Sequence, residues 1–267
     1  MSAVATGLDT LDVSGTPRVP FTRLVSVELR KLADTRAGRW LLISIAAVTL
    51  LVLIIQMAVV LGQGLHVKFT DFLQGMNIPM AILLPVLGVL SVTSEWSQRT
   101  AMVTFTLEPS RLRIVAAKFV SILVIAPVAL AIGLVLAALA NVFYGAVSGD
   151  TVVWGNPGRS ALLYLLLYVL SMASGFALGA LFLNSPAGIV FYVVYSFVLA
   201  IPFEIAAQLM DWFKSLRPWI DFNFAQGPLI DTTISGKEWG HLVTSGLIWL
   251  VVPLLIGIWR IRRAEVK

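Results

Sequence analysis

Residues 94–118 read SEWSQRTAMVTFTLEPSRLRIVAAK, a polar and charged stretch set between two long apolar runs. Six charged side chains lie in it: Glu95, Arg99, Glu108, Arg111, Arg113 and Lys118. Glu95 and Arg99 stand four residues apart with the acid first, an order that favours a helical ion pair by roughly a few tenths of a kcal/mol. Pro109 has no amide hydrogen and restricts Glu108, so a helix before it ends there. Ser110 is placed to cap a new helix. On that helix Leu112, Val115, Ala116 and Phe119 share one face, with Arg111 and Lys118 on another. The pattern predicts a short structured loop that turns back into an apolar phase.

Composition says what that phase is. The chain has 267 residues, of which 58% are hydrophobic and only 12% charged, with a mean hydropathy of +0.92. A soluble domain carries about twice that share of charge. The apolar residues gather into runs of about 20, the length that crosses a bilayer's hydrocarbon core. An all-α, multi-pass membrane protein follows. The net charge of +5 does not imply nucleic acid, because the basic residues sit beside apolar runs, where anionic headgroups lie. Absence of cysteine excludes disulfides and thiolate metal sites. The first apolar run starts at Trp40, too late and too long for a signal peptide.

Residues 1–20 are small, polar and proline-containing, and are expected to be disordered. Residues 21–38 follow as an amphipathic helix on the membrane surface, with Phe21, Leu24, Val25, Leu29 and Leu32 in one stripe. Glu28 falls on that stripe; it either pairs with Lys31 or faces a partner protein, and the sequence leaves both open. A transmembrane domain over 39–260 then holds six spans, at about 40–61, 76–93, 119–144, 160–183, 187–207 and 241–259. Asn184-Ser185-Pro186 makes a tight hairpin of the fourth and fifth.

Lysine and arginine set the orientation. One side holds Arg18, Arg23, Arg30, Lys31, Arg36, Arg39, the four basic residues of the 94–118 loop, and Arg260, Arg262, Arg263 and Lys267. The other holds only Lys68, Arg159, Lys214, Arg217 and Lys237, so fourteen of the nineteen lie with the termini. Both termini are therefore expected in the cytoplasm. Ser171, Gly175 and Gly179, and likewise Ala129, Gly133 and Ala137, repeat at the small-residue spacing that lets helices approach closely. Pro79, Pro85, Pro127, Pro202 and Pro253 are expected to kink spans or free carbonyls. The external loop, 208–240, is dense in aromatic rings and is read as short helices in or dipping into the outer leaflet. Glu204 is the only carboxylate inside a span, which marks it for either a functional or a structural role.

Catalytic chemistry is not evident. The single Gly236-Lys237 pair is no phosphate-binding loop, and the two histidines, His66 and His241, stand apart from other metal ligands. Ser174 and His241 echo a rhomboid-type dyad, but Ser174 lies about 21 Å in from the external end at 1.5 Å per residue, while His241 is at the surface. A secondary transporter is the other alternative, though the spans offer Gln56, Asn141 and Glu204 and no charge pair at the midplane.

Two segments carry a family likeness. Val27–Leu42, VELRKLADTRAGRWLL, resembles the amphipathic helix that leads into the first span of ABC-2-type permeases, the membrane subunits of ATP-binding-cassette exporters. Ser94–Lys118 resembles their cytoplasmic loop, with Glu95, Thr100, Pro109, Ser110, Arg111 and Lys118 matching its pattern. A glycine commonly precedes the threonine in that family, where this chain has Arg99. The resemblance implies a permease half that pairs with a second copy or a paralogue. It implies no cofactor in this chain, with ATP bound by a separate cytoplasmic ATPase subunit. It also implies a loop that docks on that ATPase, with Glu28, Lys31, Glu95, Arg99, Arg111 and Lys118 as the coupling residues. Taken singly, Lys31 and Lys118 read better as snorkelling charges at the membrane surface. Drug, lipid, peptide and glycan exporters share these features, so no substrate is implied.

Overall fold

Inside hydrocarbon a backbone has only itself to hydrogen-bond with, so a spanning segment without a closed sheet must be helical. The computed structural model describes residues 18–98 and 100–264 and is 86% helix, with no strand among the described residues. The disorder expected over residues 1–20 falls almost wholly outside the described residues. Among the described residues six helical segments are long and apolar enough to cross a membrane: Arg36–Gln63, Phe69–Ser97, Arg111–Ser148, Pro157–Phe182, Ser185–Leu209 and Gly236–Arg263. Each covers an expected span to within a residue and overruns most of them, because a helix continues past its apolar part wherever polar residues can reach partners.

In chain order, α1 (Phe21–Asp34) meets α2 (Arg36–Gln63) at an extended Thr35, whose hydroxyl accepts the Gly38 amide at 3.1 Å. The first helix thus ends at Asp34, sooner than the residue 38 expected. Next come α3 (Phe69–Ser97), a short α4 (Ala101–Leu107), α5 (Arg111–Ser148) and α6 (Pro157–Phe182). The fifth span is α7 (Ser185–Val193) joined to α8 (Ala200–Leu209) through a π-helical turn at Val194–Val198, where the Leu199 amide reaches back to the Val194 carbonyl. Helices α9 (Asp211–Ile220), α10 (Phe222–Ala225) and α11 (Gly227–Ile230) fill the connection to α12 (Gly236–Gly246). A second π-helical turn, Leu247–Val251, leads into α13 (Val252–Arg263). The expected tight turn into α7 is present, with Asn184 accepting the Ala187 amide at 2.9 Å.

Helices α3 and α6 form the centre. In each, 61% of the most apolar window is buried, against 28% or less in the other four spans. The expected small-residue stripe on α6 explains their closeness. A Cβ at Gly175 would lie 1.9 Å from the Pro85 carbonyl oxygen, and one at Gly88 would lie 2.2 Å from that of Met172. Gly133, in the other stripe, has no atom within 4 Å of such a position. Pro85 cannot donate to the Ala81 carbonyl four residues back, and the Tyr192 hydroxyl donates to that oxygen instead, at 2.7 Å.

The 208–240 connection, expected as short helices at the outer leaflet, packs in part into the bundle itself. Phe222 and Leu229 are 2% and 0% exposed, so α10 and α11 plug into the bundle, while Trp212, Trp219, Phe224 and Trp239 stay exposed. At the opposite pole the start of α5 holds residues near both ends of the described chain. There Arg113 donates to the Val19 carbonyl, and Arg111 donates to the carbonyls of Ile261 and Ala264 at the end of α13.

At the pole bearing the loops, Asp150 sits 3.0 Å from His66 Nδ1 and accepts a hydrogen bond from the Tyr144 hydroxyl. The Tyr144 hydrogen bond, followed by His66, holds the Asp150 carboxyl below its ordinary value of 3.8 despite partial desolvation. A depressed carboxyl contributes stability above its unfolded pKa and loses it as pH falls through the folded value. The thermal midpoint of the parent should therefore fall more steeply than that of Asp150→Asn as pH drops below about 4. Parallel profiles would contradict the clasp.

Candidate functional site

A carboxylate buried in a helical bundle needs cationic or hydrogen-bonding partners, since desolvation otherwise drives it neutral. Glu28 of α1 and Glu95 near the end of α3 are both buried, with side chains 6% and 7% exposed. Their partners are Lys31, one turn along α1, and Lys118, two turns into α5. Lys31 Nζ lies 2.7 Å from Glu28 Oε1 and 2.7 Å from Glu95 Oε1. Lys118 Nζ lies 2.6 Å from Glu28 Oε2 and 3.2 Å from Glu95 Oε1. The four groups close into a ring of alternating charge with no net charge. Thr104 of α4 adds a hydrogen bond to Glu95 Oε1 at 3.0 Å, so four helices converge on one carboxylate.

The ring answers the two readings left open for Glu28: it pairs with Lys31, and also with a residue ninety positions away. Lys118 corrects the expected helix face. Its side chain is 5% exposed and the buried side of early α5 is Ile114, Val115, Ala117 and Lys118, whereas Leu112 is 47% exposed. There the Lys118 ammonium reaches two carboxylates instead of snorkelling outward. Lys31 keeps 38% of its side chain exposed. Burial alone would lower its pKa, but the hydrogen bonds and charges of Glu28 and Glu95 outweigh that and raise it above 10.5. Its stabilising contribution is therefore complete at neutral pH and is lost only as pH climbs through the raised value.

Of the other expected site residues, Arg99 lies outside the described residues, and the expected Glu95–Arg99 pair with it. Arg111 is not part of the ring. It ties the start of α5 to the end of α13 through carbonyl oxygens and lies 5.1 Å from the Phe105 ring centre. Ser110 occupies the cap position of α5 without a side-chain capping bond; the Glu108 carboxylate accepts the Ser110 amide instead. Glu108 also pairs with Arg113 at 2.7 Å. Thr104 was not singled out by sequence, and nothing in a run of threonines on a short apolar helix marks it. Glu204, at the opposite pole, pairs with Arg217, which also reaches Asp221 at 3.2 Å and packs over Phe224. That arrangement gives the acid an ion-pair partner across the α8–α9 corner.

Beside the ring a groove of about 650 Å³ opens between α1 and α4. Glu28, Lys31, Glu95 and Thr104 line it, and its rims carry Val27, Val103 and Leu107, which are 42%, 60% and 77% exposed. The charged node thus sits under an open apolar surface. Ser174 and His241 line different cavities, and the Ser174 hydroxyl donates to the Leu170 carbonyl of its own helix. No group of three or more His, Asp or Glu that could hold a metal ion occurs among the described residues. Comparison with protein-family models and with curated proteins finds no match for this chain.

Proposed function

We propose that this chain is the permease subunit of an ABC-2-type exporter in the cell membrane. Its termini and the α1–α4 surface face the cytoplasm, with α1 lying at the interface. It works as a pair with a second copy or a paralogue and is driven by a separate ATPase that binds the ATP. It forms the pathway and catalyses no reaction itself. The observation that carries the reading is the charged ring. The two segments that resemble the family, Val27–Leu42 and Ser94–Lys118, contribute all four of its members. A force applied to α4 reaches α3 through Thr104 and Glu95, and reaches α1 and α5 through the lysines. Exposed Met102, Val103 and Leu107 on α4 supply the apolar surface a partner would cover. The charge asymmetry of the termini and loops supports this orientation.

The test leaves the ring intact and alters the exposed surface. Val103→Asp and Leu107→Asp should insert at the parent level, because each side chain already faces outward, yet lose co-purification of the ATPase and transport. The loss expected is about tenfold or more in ATPase binding, since a desolvated unpaired charge in an interface is costly. Full retention of ATPase binding and transport in the double variant would sink the coupling role of this surface.

A further inference from the structure

A second cavity, of about 190 Å³, lies toward the other pole, between α3, α6, the π-helical turn of the fifth span and the inserted helices α10 and α11. Its polar lining comes from Asn77, Ser171, Ser174, Ser196, Asn223 and Gln226. None of its fifteen lining residues is acidic, basic or histidine. Five aromatic side chains, Tyr192, Tyr195, Phe197, Phe222 and Trp249, line it as well.

Two π-helical turns supply part of the cavity wall. Such turns are rare, mostly single insertions, and frequent at functional sites, and here two face each other. Tyr195 from the first stacks on Trp249 from the second, with ring centres 3.9 Å apart and planes at 24°. Both rings are also fixed to the same turn of the inserted segment. The Tyr195 hydroxyl accepts the Phe222 amide at 2.9 Å, and Trp249 Nε1 donates to the Ile220 carbonyl at 2.7 Å. Ser196, next to Tyr195 in the bulge, has a buried hydroxyl oxygen that lies beside the Tyr192 hydroxyl without completing a well-formed hydrogen bond. Buried polar groups almost always find partners, so an incompletely satisfied hydroxyl lining an aromatic-walled cavity has the character of a ligand contact. Phe197, 40% exposed, lines the same cavity, which therefore reaches the bundle surface there.

We propose that this cavity binds a small uncharged aromatic molecule carrying a hydroxyl or amide group. The size fits a single ring, since a cavity of about 150 Å³ accommodates benzene. The uncharged lining excludes ions, whose desolvation would go uncompensated. The scattered serine and amide groups would orient one polar substituent while the aromatic walls hold the ring, the usual division of labour in ligand pockets. The inference does not depend on the transport reading, because the cavity lies within one chain and far from the charged ring.

The test uses the full chain in lipid nanodiscs and 4-fluorophenol as the probe, followed by fluorine NMR. Binding should be saturable and displaced by phenol, with 4-fluorobenzoate showing none. Filling the cavity with Ala81→Leu or, where that variant fails to fold, Ser171→Leu should weaken binding by about tenfold or more. Ser196→Ala should weaken it by about fivefold, the worth of one hydrogen bond. Non-saturable binding that is equal in parent and variants would reduce the effect to partitioning into lipid and overturn the proposal. Equal binding of 4-fluorobenzoate, or a cavity that exchanges water and no probe, would overturn it as well.

Discussion

Lys118→Met is expected to lower the stability of the chain by about 3–5 kcal/mol, the usual cost of removing one partner from a buried ion pair. The substitution keeps the length and apolar stem of the side chain and removes only the ammonium. Glu28 and Glu95 then remain buried, sharing Lys31, which is 38% exposed and already engaged with both. One carboxylate must become protonated or draw water into the interface between α1, α3 and α5. In the double variant Glu28→Gln/Lys118→Met, the Lys31–Glu95 pair keeps the site neutral, so the double should be more stable than the single Lys118→Met. Such a reversal is the signature of a coupled pair rather than two independent contacts. Thermal unfolding in detergent, followed by tryptophan fluorescence, measures both. A Lys118→Met chain within about 1 kcal/mol of the parent would instead match an exposed, snorkelling lysine.

The ring also marks where reading the sequence stopped being sufficient. The six spans were legible because hydropathy is a property of each segment by itself, and the hairpin at Asn184–Pro186 because its turn chemistry is local. The Glu28–Lys31 contact was legible as one of two options, being one helical turn long. Glu28–Lys118 was not, because it depends on α1 lying across the start of α5, a packing choice written in no single segment. Lys118 was placed off the apolar stripe and read as a snorkelling charge for the same reason: the pattern of apolar residues on early α5 was read without knowing that two carboxylates would sit opposite. The π-helical turns left no mark in composition, since one extra residue per turn changes neither hydropathy nor charge. Glu204 was singled out as an acid within a span, but its partner Arg217 lies thirteen residues on, across the α8–α9 corner.

Gly175→Ala is expected to disrupt the bundle, although it adds only one methyl group. Between helices in lipid there is little hydrophobic driving force, and close van der Waals packing carries the association. At Gly175 that packing is backbone against backbone. The added Cβ would lie 1.9 Å from the Pro85 oxygen and 2.6 Å from its carbonyl carbon, atoms that no rotamer change can move aside. Helices α3 and α6 would have to separate by an ångström or more along a seam that also includes Gly88 against Met172 and Gly179 against Val89. Overpacking usually costs about 1–3 kcal/mol, and this case should reach or exceed the upper end because rigid elements move together. Gly133→Ala supplies the control, since no atom lies within 4 Å of its added Cβ and the change should be neutral or slightly stabilising through helix propensity. Size-exclusion profiles and thermal midpoints of the two variants, compared with the parent, decide the matter. If Gly175→Ala remained monodisperse and as stable as Gly133→Ala, α3 and α6 would have to stand farther apart than their glycines now allow, and the centre of the bundle would need to be redrawn.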